Sequence, residues 1–245
     1  MLQPEHLILP AWPAPSHVKA LQTTRLGGLS RAPFDTLNLG THVGDDPMLV
    51  AANRQRLNGF VPSEPVWMEQ VHGTQVILAE QAGCVARADA AISRTPHTVC
   101  AVMTADCLPV LLCDDAGTVV GAAHAGWRGL ADGVIEATVT AMAVPASRLI
   151  AWLGPAIGPE AFEVGHEVRE TFVSHAPEAA SAFVARGEKF LANLELLARQ
   201  RLAALGVSRI HGGGMCTYAD ATRFYSYRRD GQTGRMATMI WLGRA

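Results

Sequence analysis

One domain of mixed strands and helices is predicted for this chain on three observations. Apolar runs of strand length alternate with stretches whose apolar residues recur at helical spacing. The run Cys107 to Cys113 and its neighbour Thr118 to Ala125 are apolar on both faces, Leu108, Val110 and Leu112 alternating with Cys107, Leu111 and Cys113, as in a sheet covered on both sides. No internal repeat, low-complexity tract or linker interrupts residues 1–245.

Along the chain, Pro4, Pro10, Pro13 and Pro15 make the amino-terminal arm extended rather than helical, because each proline fixes φ and removes a backbone donor. Thr23 to Gly28 reads as a strand end entering a glycine turn. Asp46-Pro47 caps a helix carrying Val50, Asn53, Arg54 and Leu57. Pro62 and Pro65 bracket a loop. Val66 to His72 and Thr74 to Ala79 read as strands joined or bent at Gly73, and Thr98 to Thr104 as another. Beyond the apolar pair, a helix is expected from about Leu130 to Met142, with Val134, Ile135, Thr138 and Met142 on one stripe and Pro145 past its end. Leu149 to Leu153 is a strand running into the rigid loop Gly154 to Pro159. Helices follow near Glu163 to Ser174 and Leu191 to Leu205, the latter ended by Gly206. Phe224 to Arg228, a turn from Asp230 to Gly234 and a strand from Arg235 to Leu242 close the chain.

With 245 residues, 49% of them hydrophobic and 17% charged, the chain can bury a large core. A net charge of -2 and a pI near 6.5 give no electrostatic reason to expect nucleic acid or an anionic membrane as partner, which leaves small molecules. The sequence leaves the oligomeric state open, a monomer being compatible with it. Asp106, Asp114, Asp115, His124 and Arg128 punctuate the most apolar region, so no stretch reaches the ~18 to 20 apolar residues of a membrane span. The start Met1-Leu2-Gln3-Pro4-Glu5-His6 lacks the parts of a secretory signal, and a cytoplasmic location is expected. Five cysteines, Cys84, Cys100, Cys107, Cys113 and Cys216, are odd in number and sparse, which suits a reducing compartment where thiols stay free or bind metal.

His72, Cys107 and His124 are the candidate metal ligands. If Asp115 and Ala116 form a two-residue hairpin loop, Cys107 sits directly opposite His124, whereas a register slip of one residue puts them on opposite faces. A thiolate and two imidazoles suit zinc or copper, and three protein ligands leave a coordination position open for chemistry. The intervals match no compact metal motif, so a buried thiol and backbone-satisfied histidines explain the same residues. A copper electron-transfer site is a further reading, with Met68 or Met103 as weak axial ligand. Asp106 points away from Cys107 on a regular strand and reads as a turn or cap acceptor. Asp89 either orients a ligand histidine or sits in a surface turn. Arg25, Arg54 and Arg128 are candidates for an anion, Arg128 because it lies among glycines at a helix start, while Arg228-Arg229 is expected to be exposed. His211-Gly212-Gly213-Gly214 has the look of an oxyanion loop but no GxSxG elbow accompanies it, and phosphate-loop, dinucleotide and zinc-deaminase signatures are absent.

Taken in order, Thr23-Thr24-Arg25 with Gly27-Gly28, Leu37-Asn38-Leu39-Gly40, His42-Val43-Gly44-Asp45, Gln70-Val71-His72-Gly73, Thr104-Ala105-Asp106-Cys107-Leu108-Pro109, Ala123-His124-Ala125-Gly126-Trp127-Arg128-Gly129 and Gly154-Pro155-Ala156-Ile157-Gly158-Pro159 resemble the YfiH family, also called the laccase-domain or multicopper polyphenol oxidase family. Cys216-Thr217, Phe224 to Arg229 and Thr233-Gly234-Arg235 extend the likeness, which spans residues 20–242. It implies an α+β fold of layered αββα type, similar to the catalytic domain of cytotoxic necrotizing factor toxins, and a metal triad at His72, Cys107 and His124. It also implies phosphorolysis of adenosine, inosine and methylthioadenosine, with adenosine deaminase activity, and phosphate or substrate binding at Arg54. The alternatives it carries are a peptidoglycan-precursor amidase removing misincorporated serine and a copper-dependent polyphenol oxidase. Deamination needs an activated water at purine C6, which a redox-silent ion supplies, and phosphorolysis needs an anion pocket beside the ribose. A multicopper oxidase needs several copper centres where one ligand set is recognisable. The expectation is therefore a zinc-dependent purine nucleoside enzyme, copper being the other candidate ion, with Cys107, His72, His124 and Arg54 catalytic and Arg25, Arg54 and Arg128 engaging substrate.

Overall fold

A computed structural model describes residues 2–83 and 85–244; Met1, Cys84 and Ala245, and with Cys84 one of the expected free thiols, lie outside the described residues. The strands are β1 (Leu7–Ile8), β2 (Val18–Thr23), β3 (Met68–Glu69), β4 (Val76–Leu78), β5 (Ala86–Arg87), β6 (Ala90–Ser93), β7 (Cys100–Thr104) and β8 (Leu108–Asp114). They continue with β9 (Val120–Ala125), β10 (Leu149–Leu153), β11 (Glu163–Val164), β12 (Phe183–Arg186), β13 (Lys189–Ala192), β14 (Arg209–Gly212) and β15 (Met236–Leu242). The helices are α1 (Pro47–Gln55), α2 (Trp127–Asp132), α3 (Val134–Met142), α4 (His166–His175), α5 (Leu194–Ala204) and the single turn α6 (Tyr227–Asp230).

The result is an α+β arrangement with several sheets. One sheet has the order β1-β2-β15-β7 and is antiparallel throughout; the other, β14-β10-β8-β9-β6-β4, is mixed, with parallel pairs at its two edges. Their faces pack on each other through Val102, Ile240 and Leu242 from the first and Leu111, Val120, Ala122 and Ile150 from the second. The opposite face of the six-stranded sheet is covered by α3 and α5, with Leu108, Val110 and Leu112 meeting Ile135, Met142, Leu197 and Leu202. This explains why β8 and β9 are apolar on both faces: every residue in them is buried. Each such Leu or Val removed from water stabilises the fold by roughly 1.5–3 kcal/mol before entropy is counted. Leu37, Leu39, Leu57 and Val61 cover the outer face of the four-stranded sheet. No helix among the described residues is long and apolar enough to cross a membrane.

Several expectations need correction. Pro4–His6 forms a 3-10 turn and Leu7–Ile8 pairs with β2, so the arm is extended only in part. The stretch expected as one helix up to Met142 starts earlier, at Trp127, and breaks at Gly133, whose φ of 101° ends α2 and begins α3. Glu163–Val164 and Lys189–Ala192 are strands of a small sheet that precede α4 and α5, and Tyr227–Asp230, for which the sequence predicts no helix or strand, is a helical turn. The hairpin loop is longer than two residues. Asp114 accepts from the amides of Thr118 and Val119 at 2.6 and 3.0 Å, which organises a wider turn. His124 consequently pairs with Pro109 and not with Cys107.

Candidate metal centre and active site

A shift of two residues preserves the face on which a side chain points, so Cys107 and His124 still meet. Cys107 lies just before β8, in register with Gly126 beyond the end of β9. A Cβ on Gly126 would stand 2.9 Å from Cys107 Sγ and 3.0 Å from His72 Cδ2, which is why the strand end there needs glycine. His72 follows β3 in a left-handed conformation, φ 61°, and Asp106, immediately before Cys107, has φ 94°. Two non-glycine residues in that region beside one cavity mark a backbone held by its surroundings.

Asp89 is the residue that holds it. Fully buried at the start of β6, it accepts from the amides of Val71, His72 and Gly73 at 3.1, 2.9 and 2.7 Å and from His124 Nδ1 at 2.8 Å. Of the two readings of Asp89, the histidine-orienting one is what the geometry supports; the surface turn is not. Burial pushes its carboxyl up, but the bonds from His124, Gly73 and Val71 outweigh this and leave it below the ordinary range. Asp106, in turn, accepts from Thr217 Oγ1 at 2.6 Å and from the Arg228 amide at 2.7 Å, tying α6 to the cavity floor as the acceptor role expected of it.

The donor atoms of His72, Cys107 and His124 all lie within 4.8 Å of one another, with Cys107 Sγ 3.7 Å from His72 Nε2. The two imidazoles meet edge to face. Burial pushes the Cys107 thiol up, but the imidazoles of His124 and His72 pull it down to about 6. Burial disfavours a charged His124, yet Cys107 and Asp89 raise it to about 9. The pair therefore favours thiolate facing imidazolium, and a soft cation replacing that proton finds its sulfur already ionised. Asp89 on Nδ1 leaves Nε2 of His124 directed at the cysteine, which is how carboxylate partners orient metal-binding histidines. The donor set fits zinc or copper.

Around this trio opens a cavity of about 430 Å³, walled by His42, Gln70, Phe162, Tyr227, Arg228 and Arg235 among others. Gln70 bonds Met103 both ways, through its Nε2 to the carbonyl and its Oε1 to the amide, fixing the wall between them. Met103 lines the cavity, whereas Met68 is buried between the sheets. The arginines singled out by sequence lie outside the lining. Arg25 pairs with Asp35, Arg54 donates twice to the Leu39 carbonyl and stacks 4.1 Å from the Trp67 ring, and Arg128 stacks on Trp127. Arg54 touches the lining at Met103, its Nη2 being 3.9 Å from the sulfur, and its charge also acts on His42. Of the pair expected to be exposed, Arg228 is, and stands at the mouth beside Phe162, whereas Arg229 is half-buried because its guanidinium donates to the carbonyls of Thr217, Tyr218 and Phe224. Sequence reasoning missed His42, Phe162, Tyr227 and Arg235 as cavity residues; the one signal for His42 and Arg235 was their place in the motifs His42-Val43-Gly44-Asp45 and Thr233-Gly234-Arg235.

Comparison with known proteins places these residues in a family context. Residues 19–243 match the family model described as multi-copper polyphenol oxidoreductase laccase. A Pseudomonas aeruginosa protein named purine nucleoside phosphorylase is 56% identical over 237 residues, covering 96% of this chain and 98% of the relative. An Escherichia coli protein named purine nucleoside phosphorylase YfiH is 57% identical over 239 residues with the same coverage. Among solved structures, a Neisseria meningitidis protein superposes with a TM-score of 0.96 at 51% identity, over 98% of this chain and 100% of its own. YlmD from Geobacillus stearothermophilus gives 0.90 at 30% identity, over 100% of this chain and 98% of its own.

Proposed function

This chain belongs to the YfiH family of multi-copper polyphenol oxidoreductase laccase proteins, and on that premise we propose that it is a cytoplasmic, metal-dependent purine nucleoside phosphorylase acting as a single domain. One observation carries the reading: a His72–Cys107–His124 donor set opens onto a cavity with Arg228 and Arg235 in its wall, in a chain 56% identical to a relative named for that reaction. Zinc is the ion we assign, with copper as the other candidate; bound there, it supplies Lewis acidity and a water ionised near neutral pH.

The chain's own residues supply the rest. In phosphorolysis an oxygen of inorganic phosphate bonds to C1′ of the ribose while the C1′–N9 bond breaks, and the purine leaves with the electron pair and takes a proton. Arg228 and Arg235 give the cavity the positive charge that a phosphate requires. Phe162 and Tyr227 are the flat apolar walls against which a purine packs. Arg54, expected to engage phosphate or substrate, acts from behind the wall, since its guanidinium is spent on Leu39 and Trp67. Deamination of adenosine, water replacing the 6-amino group as ammonia leaves, uses the same cavity. Laccase chemistry calls for several copper centres, whereas the described residues contain one cluster of such ligands, so nucleoside chemistry is preferred.

The test is direct. Metal-loaded protein is incubated with adenosine, inosine or methylthioadenosine, with and without phosphate, and products are separated by chromatography. Free base and the pentose 1-phosphate form only when phosphate is present, and inosine forms from adenosine in its absence. A protein that yields none of these products refutes the reading.

A further inference from the structure

A second cavity, of about 330 Å³, adjoins the metal cavity and shares His42, Tyr227 and Arg235 with it; Thr233 and Gln232 are among the other residues of its wall. Arg235 thus stands at the waist between the two spaces. Its Nη1 donates to the carbonyls of Thr233 and Gly234, and among the described residues it forms no ion pair with a carboxylate. The Cys107 sulfur and the Asp106 carboxylate act on its charge from a distance, but neither pairs with it, and among the described residues its Nε and Nη2 make no hydrogen bond, which leaves those donors for an anion.

This arrangement is built. The segments 38–43 and 232–235 are laced together: Asn38 Oδ1 accepts from the Arg235 amide at 2.9 Å, the Leu39 amide donates to the Arg235 carbonyl at 3.1 Å, and Gln232 reaches the Val43 carbonyl. The stem of Arg235 lies on the bare backbone of Gly40, where a Cβ would stand 2.8 Å from Arg235 Cγ. The Thr233 hydroxyl, in a residue 1% exposed, has no hydrogen-bond partner. His42 has its pKa lowered, first by partial burial and then by the charges of Arg235 and Arg54, so it stays neutral and keeps a donor N–H.

We infer that the waist is the phosphate subsite, with Arg235 as the residue that grips the oxyanion and His42 and Thr233 as its polar flank. The choice of phosphate as ligand rests on the phosphorolysis reading above; the anion-binding geometry does not. A phosphate held there by Arg235 lies beside the metal cavity, so a nucleoside in the larger space presents its ribose to the anion in the smaller one.

Inorganic phosphate, and separately adenosine 5′-monophosphate, are titrated into the metal-loaded wild type, Arg235→Gln and Arg235→Lys, and binding is read by calorimetry without any turnover. Wild type binds phosphate saturably, Arg235→Gln weakens it at least about tenfold, and Arg235→Lys recovers part of the loss. In the phosphorolysis assay the KM for phosphate rises by a similar factor while that for nucleoside stays within about twofold. In the wild type, phosphate protects Arg235 but not the exposed Arg31 from phenylglyoxal, a readout that survives if the variants fail to fold. Equal phosphate binding by Arg235→Gln, no saturable binding by wild type, weakening confined to the monophosphate, or no protection of Arg235 overturns the subsite. If binding depends on Arg235 but no nucleoside is cleaved, the subsite stands and the functional reading falls; turnover with an unchanged phosphate KM in Arg235→Gln has the reverse meaning.

Discussion

Replacing Asp89 by asparagine removes one acceptor oxygen from a carboxylate that uses both. Oδ1 receives the His72 amide and His124 Nδ1, and Oδ2 receives the amides of Val71 and Gly73. Whichever way the amide turns, two donors lose their acceptor and face an NH2 group. An unsatisfied buried donor costs about 1–3 kcal/mol, so with two left unpaired, or one where His124 changes tautomer, the substitution destabilises the metal-free protein by about 1–6 kcal/mol. If the NH2 lies against His124, its Nδ1 must become the acceptor and the proton moves to Nε2, the nitrogen that faces Cys107. That tautomer cannot ligate. Metal affinity then falls about 10- to 100-fold, the range that loss of such an orienting partner produces. Urea denaturation of the stripped protein gives the stability term, and competition against a chromophoric chelator gives the affinity. A variant within about 0.5 kcal/mol of wild type that binds metal as tightly refutes the role assigned to Asp89.

Gly126→Ala drives a methyl group to within 3.0 Å of His72 and Cys107, so metal affinity falls at least about tenfold; an unchanged chelator competition curve counts against the close packing. In metal-free protein Cys107 alkylates with a midpoint near pH 6: its pKa is depressed, so the reactive thiolate persists above that pH and is lost as pH falls through it. Cys113, pushed up to about 12 by burial, and the still more elevated Cys100 stay unlabelled through pH 8, as peptide mass mapping of iodoacetamide adducts will show. Asp106→Ala frees Thr217 and the Arg228 amide, loosening the turn that carries Tyr227; nucleoside KM rises several-fold with metal content unchanged, and an unaltered KM argues against that anchoring.

What the sequence carried was the pattern of the hairpin and the identity of its polar members. Two-sided apolarity in Leu108–Asp114 and Val120–Ala125 follows from a sheet sandwiched between another sheet and helices, and it is readable because every position but Asp114 and His124 obeys it. The register was not readable, because the wide turn depends on where the Asp114 carboxylate points, and only the even size of the slip kept Cys107 and His124 on one face. Asp89 announced itself as an acid among Ala88, Ala90 and Ala91, but its three amide partners come from a separate loop. In the sequence, Arg235 is marked only as the first residue of the last strand and as part of the Thr233-Gly234-Arg235 motif. Its place at the cavity depends on pairing across nearly 200 residues with Asn38, which no local pattern encodes.

X-ray absorption at the metal edge of the loaded protein tests the central assignment most directly. One sulfur near 2.3 Å and two nitrogens near 2.0–2.1 Å, with the sulfur signal vanishing in Cys107→Ala, is the predicted shell. A shell of oxygen and nitrogen alone, or a sulfur that persists in Cys107→Ala, contradicts the assignment of His72, Cys107 and His124 to a single ion.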